Sequence, residues 1–316
     1  MITHSIPLYC QPERIIISPY RSLRIKVTDR CPFTCNFCHH EGSKRSDDIQ
    51  IGKPFETIIK RFVRELEITE IHLTGGEPTA YGELVNLVKL ISSFGLEVKM
   101  TSNGQFDNKL LDDLKRSGLE SINISVHTLD PVKLGAIMSP MRDQHWGKKA
   151  LERQLSNLIY AKKIGLKSKV NTVVQNDSDV TNVITFCKDN KIDLRILDDL
   201  NPGSLSIPRI IETLRAMDAI VTGINLTEKA SGFSYNIVSA DGFEFKVKAI
   251  RKNILKSLCN DCHMRDTCKE WFYGIRLEQI DNELIVRLCI HRQDYPAKQN
   301  IHDFFSSEQF IELLNS

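Results

Sequence analysis

The sequence has no run of about 18 consecutive apolar residues, so no membrane-spanning helix is expected. Its N-terminus, MITHSIPLYCQPERIII, lacks a basic start followed by a continuous apolar stretch, so no signal peptide is expected either. Charge imbalance is almost absent: 42 Lys and Arg against 40 Asp and Glu leave a formal net charge of +2. Neither nucleic acid nor an acidic membrane is therefore expected as a partner. Neither G-x-S-x-G nor H-E-x-x-H occurs, which disfavours a hydrolase. No low-complexity linker interrupts the chain. What is there is 316 residues, 41% hydrophobic and 26% charged. That is enough for a packed core and for one large domain or two unequal ones.

Cysteine is the informative residue. Nine cysteines is an odd number, and no signal peptide is expected, so a disulfide framework is not expected and a reducing cytoplasm is. Cys31, Cys35 and Cys38 cluster near the start. Cys259, Cys262, Cys268 and Cys289 lie near the end. Cys10 and Cys187 stand alone and read as inert thiols. Two separated groups suggest two metal centres.

Between about residues 20 and 200, short apolar runs alternate with amphipathic stretches. LRIKVT, EIHLTGG, EVKMTSNG, SINISVHT, KSKVNTVVQ and DLRILDD read as strands. PFETIIKRFVREL, YGELVNLVKLISSFG, NKLLDDLKRSG, GKKALERQLSNLIYAKKIG and DVTNVITFCKDNK read as helices. Six βα-like units predict an α/β fold with parallel strands and outer helices: a partial (β/α)6 TIM-like barrel. Its chemistry is expected at the C-terminal ends of the strands. After DDLNPGSLSIP the rhythm changes. PRIIETLRAMDAIVTGI reads as a helix, and FSYNIV with FEFKVKAI as a hairpin around SADG. The expected division is an N-terminal arm (1–19), the barrel (20–210) and a smaller C-terminal α+β part (211–316).

The cysteines of CPFTCNFC follow directly on the first strand. A closed zinc site takes four Cys or His ligands, and His39 or His40, right beside Cys38, would strain a tetrahedron. Three thiolates suit a [4Fe–4S] cluster whose remaining iron is open to bind and reduce a cofactor. For the C-terminal group a zinc knuckle remains the alternative to a second cluster.

C-x3-C-x2-C after a first strand, with Phe37 before the last cysteine, resembles the motif of the radical S-adenosylmethionine (SAM) superfamily. The resemblance implies that a cluster on Cys31, Cys35 and Cys38 chelates SAM and splits it reductively. The resulting 5′-deoxyadenosyl radical then removes a hydrogen from a substrate. It also implies SAM contacts at successive strand ends. These are Gly75, Gly76, Glu77 and Pro78 in LTGGEPT, Ser102 and Asn103 in TSNG, Ser125, Asn171 and Leu200. Within the superfamily, residues 15–205 are most similar to the GTP 3′,8-cyclase (MoaA-like) group. LRIKVTDRCPFTCNFC, INISVHTLDPVKLGAI, GLKSKVNTVVQ and IDLRILDDLNPG carry the likeness. It implies substrate contacts at Arg24, His72, Lys169 and Arg276, and a small-molecule substrate, a nucleotide or nucleoside.

The C-terminal group departs from that pattern. C-x2-C-x5-C followed by Cys289 is nearer the SPASM and twitch spacing of radical SAM peptide and sugar maturases. The arginine pair after C-x2-C is not reproduced by Arg265 and Arg276, and the chain ends LLNS without the group's glycine pair. The expectation is a second, auxiliary [4Fe–4S] cluster on Cys259, Cys262, Cys268 and Cys289, with a flavodoxin or ferredoxin as electron donor. Peptide or sugar maturation is the alternative to nucleotide chemistry. A non-catalytic metal-binding protein is the third reading.

Overall fold

The computed structural model describes residues 10–43, 45–175, 180–201 and 203–315. Strand β1 (Cys10–Ser18) precedes the barrel strands β2 (Ser22–Lys26), β3 (Glu70–Thr74), β4 (Glu97–Ser102), β5 (Leu119–Ser125), β6 (Lys167–Val173) and β7 (Asp193–Leu197). Each of β2 to β6 pairs in parallel with its successor, as the alternation predicts. The intervening helices are α1 (Lys53–Leu66), α2 (Leu84–Ser93), α3 (Asn108–Arg116), α4 (Pro131–Ile137), α5 (Gln144–Lys163) and α6 (Val180–Asp189). The short α4 has no counterpart among the expected helices; Asp130 caps it by accepting from the Val132 and Lys133 backbones.

Side-chain alternation along these strands builds two faces. Leu23, Ile25, Ile71, Leu73, Val98, Met100, Ile122, Ile124, Val170 and Ile196 form a buried face under the helices. Helix α1 meets it with Phe55, Ile58, Ile59 and Phe62, and Pro54 pre-sets its first turn. Full burial of each such side chain is worth about 1.5–3 kcal/mol. The alternate positions are polar: Arg24, His72, Lys99, Asn123, Lys169 and Arg195. Arg195 on β7 lies close enough to His72 on β3 to shift it electrostatically. Strands that far apart in the order meet across this face only if the sheet curls around it. The polar face is therefore the concave interior of a partial barrel.

The remaining strands are β8 (Ile220–Thr227), β9 (Gly232–Val238), β10 (Glu244–Ile250), β11 (Ile275–Ile280), β12 (Glu283–Arg287) and β13 (Lys298–Asn300). The expected hairpin is β9–β10. These strands extend the barrel sheet at both edges, giving the order β1-β8-β9-β10-β7-β6-β5-β4-β3-β2-β11-β12-β13. Residues 10–18, expected only as an arm, pair in parallel with β8. The expected helix PRIIETLRAMDAIVTGI is two elements. Helix α7 (Ser206–Ala216) ends before Asp218, which has φ of 46°, and IVTGI opens β8. The β-branched run Ile220, Val221, Thr222 suits a strand. Helices α8 (Lys256–Cys259), α9 (Ile301–Phe304) and α10 (Glu308–Asn315) complete the chain. Phe304 and Phe305 pack on Phe62 of α1 with ring centroids 6.0 and 5.1 Å away. Among the described residues no helix is long and apolar enough to cross a membrane.

Candidate functional site

Cys31, Cys35 and Cys38 lie in the loop after β2, all as free thiols. Backbone bonds dock this loop on α4: the Asn36 N–H donates to Ile137 O, and the Ser139 N–H to Thr34 O, both at 2.9 Å. Asn103 Nδ2 donates to Cys31 Sγ at 3.6 Å. Burial pushes the Cys31 thiol up to about 11 and the Cys35 thiol up to about 12. Cys38 adds to both shifts. The three cysteines lie near enough to interact electrostatically, in a setting that disfavours free thiolates, which bound metal would reverse.

The GGEP segment ends β3 against this loop. A Cβ on Gly76 would lie 2.4 Å from Asp29 O, and one on Gly75 2.5 Å from Thr28 O. Only glycine lets the two backbones pass, and the Gly76 and Glu77 N–H groups donate to Thr28 O and Arg30 O at 2.8 Å. Glu77, 1% exposed, accepts from Ser102 Oγ, the Asn103 N–H and both Thr79 donors. Its carboxylate ties the ends of β3 and β4 together. Pro78 opens the short turn that follows. Phe37 meets the His127 ring edge-on at 4.9 Å. Asn171, at the end of β6, is buried and its Oδ1 has no partner among the described residues. The Ser125 carbonyl holds Gln154 Nε2 at 3.0 Å, and Leu200 follows the end of β7.

The concave face below holds the expected substrate residues. Arg24 forks onto Glu41, with Nη2 at 2.5 Å and Nε at 3.2 Å. Arg276, on β11, pairs with Glu41 at 3.0 Å and with Glu270. Its remaining nitrogen, Nη1, is buried without a partner among the described residues. Burial opposes the Arg276 charge, but Glu270 and Glu41 outweigh it and hold its pKa above the usual value. His72 lies on β3 opposite Arg24. Burial, helped by Arg24, holds it well below the ordinary histidine value, so it is neutral, and it shares a 2.8 Å hydrogen bond with Thr101 Oγ1. Burial, then Arg195, lowers Lys169 to about 8.

Three interior residues escaped the sequence reading: Arg195, Lys248 and Tyr273. Arg195 lies between the buried Leu194 and Ile196, and Lys248 follows the buried Val247, so alternation alone points both inward. Lys248 donates to the Tyr273 hydroxyl and stands 4.1 Å from its ring centroid. Burial, with Arg195 and Arg24 nearby, holds the Lys248 ammonium well below its ordinary pKa. Among the described residues neither Arg195 nor Lys248 has a carboxylate within ion-pair distance, though Glu70 favours the Arg195 charge and Glu41 that of Lys248.

The second group gathers Cys259, at the end of α8, with Cys262, Cys268 and Cys289. Burial pushes the Cys259 thiol up to about 11, and Cys289, Cys268 and Cys262 add to it. The Trp271 N–H donates to Cys268 Sγ at 3.2 Å and the His291 N–H to Cys289 Sγ at 3.4 Å. All four are free thiols. Among the described residues no three His, Cys, Asp or Glu side chains close around a single metal ion. Cys187 is fully buried in α6, as expected of an inert thiol; the Cys10 side chain is outside the described set.

A partial barrel with three cysteines after its first strand defines a radical SAM architecture. The profile of the radical SAM superfamily matches residues 25–187, and the chain belongs to that superfamily. It is an enzyme of that kind, similar to the GTP 3′,8-cyclases. It is 28% identical over 260 residues to the GTP 3′,8-cyclase of Aquifex aeolicus, covering 78% of each chain. Against a probable GTP 3′,8-cyclase of Sulfolobus acidocaldarius the identity is 34% over 187 residues, 58% of this chain and 57% of the relative. Against that of Thermoplasma volcanium it is 26% over 305 residues, covering 88% and 90%. Streptococcus suis SuiB bound to S-adenosylmethionine shares the fold, with a TM-score of 0.55 at 18% identity over 93% of this chain and 63% of that one. Native anSMEcpe with bound AdoMet gives 0.55 at 18%, covering 93% and 82%.

Superfamily membership carries a [4Fe–4S] cluster and SAM, and the residues present fit both. Three thiols without a fourth ligand suit an open-iron cluster, and the orphaned Asn171 Oδ1 at a strand end leaves an acceptor for a ligand donor.

Proposed function

We propose that this radical SAM enzyme acts on an anionic nucleotide, as the names of its GTP 3′,8-cyclase relatives suggest. The observation that supports this reading is the charge of the barrel interior. Arg24, Arg195 and Arg276, with the buried Lys248 amine beside them, share the interior with Glu41, Glu270 and Glu70, and among the described residues Arg195 has no carboxylate within ion-pair distance. A buried cation without a counter-charge is costly, and an arriving anion relieves that cost.

When bound at Cys31, Cys35 and Cys38, the cluster and SAM supply hydrogen-atom abstraction by reductive cleavage. The chain's own residues place the partners. The Gly75–Gly76 backbone and Asn103 hold the cysteine loop. Phe37, Pro78, Ser102, Ser125, Asn171 and Leu200 would line the SAM site at the strand ends, and Glu77 braces two of those ends. Lys169, Arg195 and Lys248 hold the substrate anion from below, with neutral His72 and Arg276 Nη1 as hydrogen-bonding groups. Residues 20–210 form the catalytic barrel. Residues 211–316 carry an auxiliary [4Fe–4S] cluster on Cys259, Cys262, Cys268 and Cys289. The free thiols suit a reducing cytoplasm and a flavodoxin or ferredoxin donor. The C-x2-C-x5-C spacing favours peptide or sugar maturation as the second reading.

Anaerobic calorimetry with GTP, guanosine and a short peptide tests the substrate class. GTP binds and guanosine binds far more weakly if the reading holds. Lys248→Met weakens GTP binding about tenfold to a hundredfold, the worth of a charged hydrogen bond, and leaves SAM binding unchanged. Equal affinity for GTP and guanosine sinks the reading.

A further inference from the structure

The two cysteine groups are joined by a buried chain of charges. Glu41 stands three residues after Cys38. Its Oε2 accepts from Arg276 Nε at 3.0 Å. The Nη2 of the same guanidinium reaches Glu270 Oε1. Glu270 Oε2 accepts the Ile290 N–H at 2.9 Å. Glu270 lies two residues after Cys268, and Ile290 directly follows Cys289. Glu41, Arg276 and Glu270 are 9%, 4% and 1% exposed. The two loops also touch directly. Gln293 Nε2 donates to Gly42 O at 2.6 Å, and a Cβ on Gly42 would lie 2.7 Å from Ile290 Cα.

Stability alone does not explain this chain. Well-packed apolar side chains of similar volume do as well as a buried ion pair or better. The charges themselves are the feature, and they run from one cysteine loop to the other. The likeness that implied a substrate contact at Arg276 did not anticipate that two of its three nitrogens are taken up in this bridge.

We infer that Arg276 is a positioning residue that locks the loop after Cys38 to the segment after Cys289, so that a charge change at either cysteine centre is felt at the other. The inference rests on reading both groups as iron–sulfur centres.

The test uses full-length protein, reconstituted anaerobically and poised at graded potentials, with electron paramagnetic resonance as the readout. The signal that changes on adding SAM marks the N-terminal centre. Glu270→Gln removes a negative charge beside the C-terminal group and keeps the side chain's shape. The direct effect raises the potential of the C-terminal signal. Coupling requires the SAM-responsive signal to shift upward as well, and Glu41→Gln to shift the C-terminal signal in return. A merely structural role moves neither distant signal. If each variant moves only its near neighbour, the inference is overturned. Arg276→Lys serves if Glu270→Gln does not load iron. It keeps the charge but, with one nitrogen, cannot span both carboxylates, so both signals must shift; a shift of only one or of neither overturns the inference. Iron content separates the failures. About four iron atoms per chain overturns the two-centre reading, whereas about eight without a cross-shift overturns coupling alone.

Discussion

At the scale of single residues, the site depends on close approach and on charge. Gly76 has no room for a methyl group, because backbone oxygens at 2.4 and 2.5 Å block it and belong to the cysteine loop. Gly76→Ala must push that loop away. Iron loading at the first centre is expected to fall several-fold while helix content by circular dichroism is kept. Gly82→Ala, with nothing within 4 Å of its Cβ, serves as control and loads normally. Lys169 gives the interior a pH dependence. Its ammonium titrates near 8, so it is charged at pH 7 and neutral by pH 9. Affinity for an anionic nucleotide therefore falls as pH rises through about 8, and Lys169→Arg flattens that fall. Titrations at constant ionic strength check both.

At the scale of elements, the C-terminal helices brace the barrel through a small aromatic cluster. Phe62 of α1 meets Phe304 and Phe305, and the Arg61 guanidinium lies 3.8 Å over the Phe305 ring. Phe62→Ala is expected to cost about 3–5 kcal/mol, read from denaturant midpoints at unchanged slope. The barrel strands and most of its helices were legible because their alternation is strong: EIHLT and EVKMT carry apolar residues at every second place. β8 was not, because IVTGI runs on from helix α7 without a proline, and only the left-handed Asp218 breaks the run. Of the edge strands, β11 pairs with β2 over a long range that no local pattern encodes, whereas the β11–β12 hairpin with its two-residue Asp281–Asn282 turn was a local signal that the reading missed. At the site, the cysteine groups were readable from their spacing, while the strand-end glycines and polar residues came from the family resemblance. Arg195 and Lys248 would have been, had strand alternation been followed to the concave face. The Glu41–Arg276–Glu270 chain was not, since it joins residues 235 apart through tertiary contact.

At the scale of the whole molecule, the expected second part is not a separate sheet. Strands from residues 220–300 extend the barrel sheet on both sides, so the barrel's edges β2 and β7 are covered by later sequence. Unpaired edges of that length invite association. A fragment of residues 20–210 is expected to aggregate. The full chain is expected to unfold in one transition seen alike by fluorescence and circular dichroism. Soluble monomeric fragment would show that the two parts fold independently.

The most direct measurement is anaerobic turnover. Reconstituted protein receives SAM and dithionite, and 5′-deoxyadenosine is quantified with each of a panel of nucleotides, nucleosides and peptides, beginning with GTP. The account predicts release that is stimulated by a nucleotide, is weaker with the matching nucleoside, and is lost in Cys35→Ala. Release that ignores every nucleotide but rises with a peptide would contradict it.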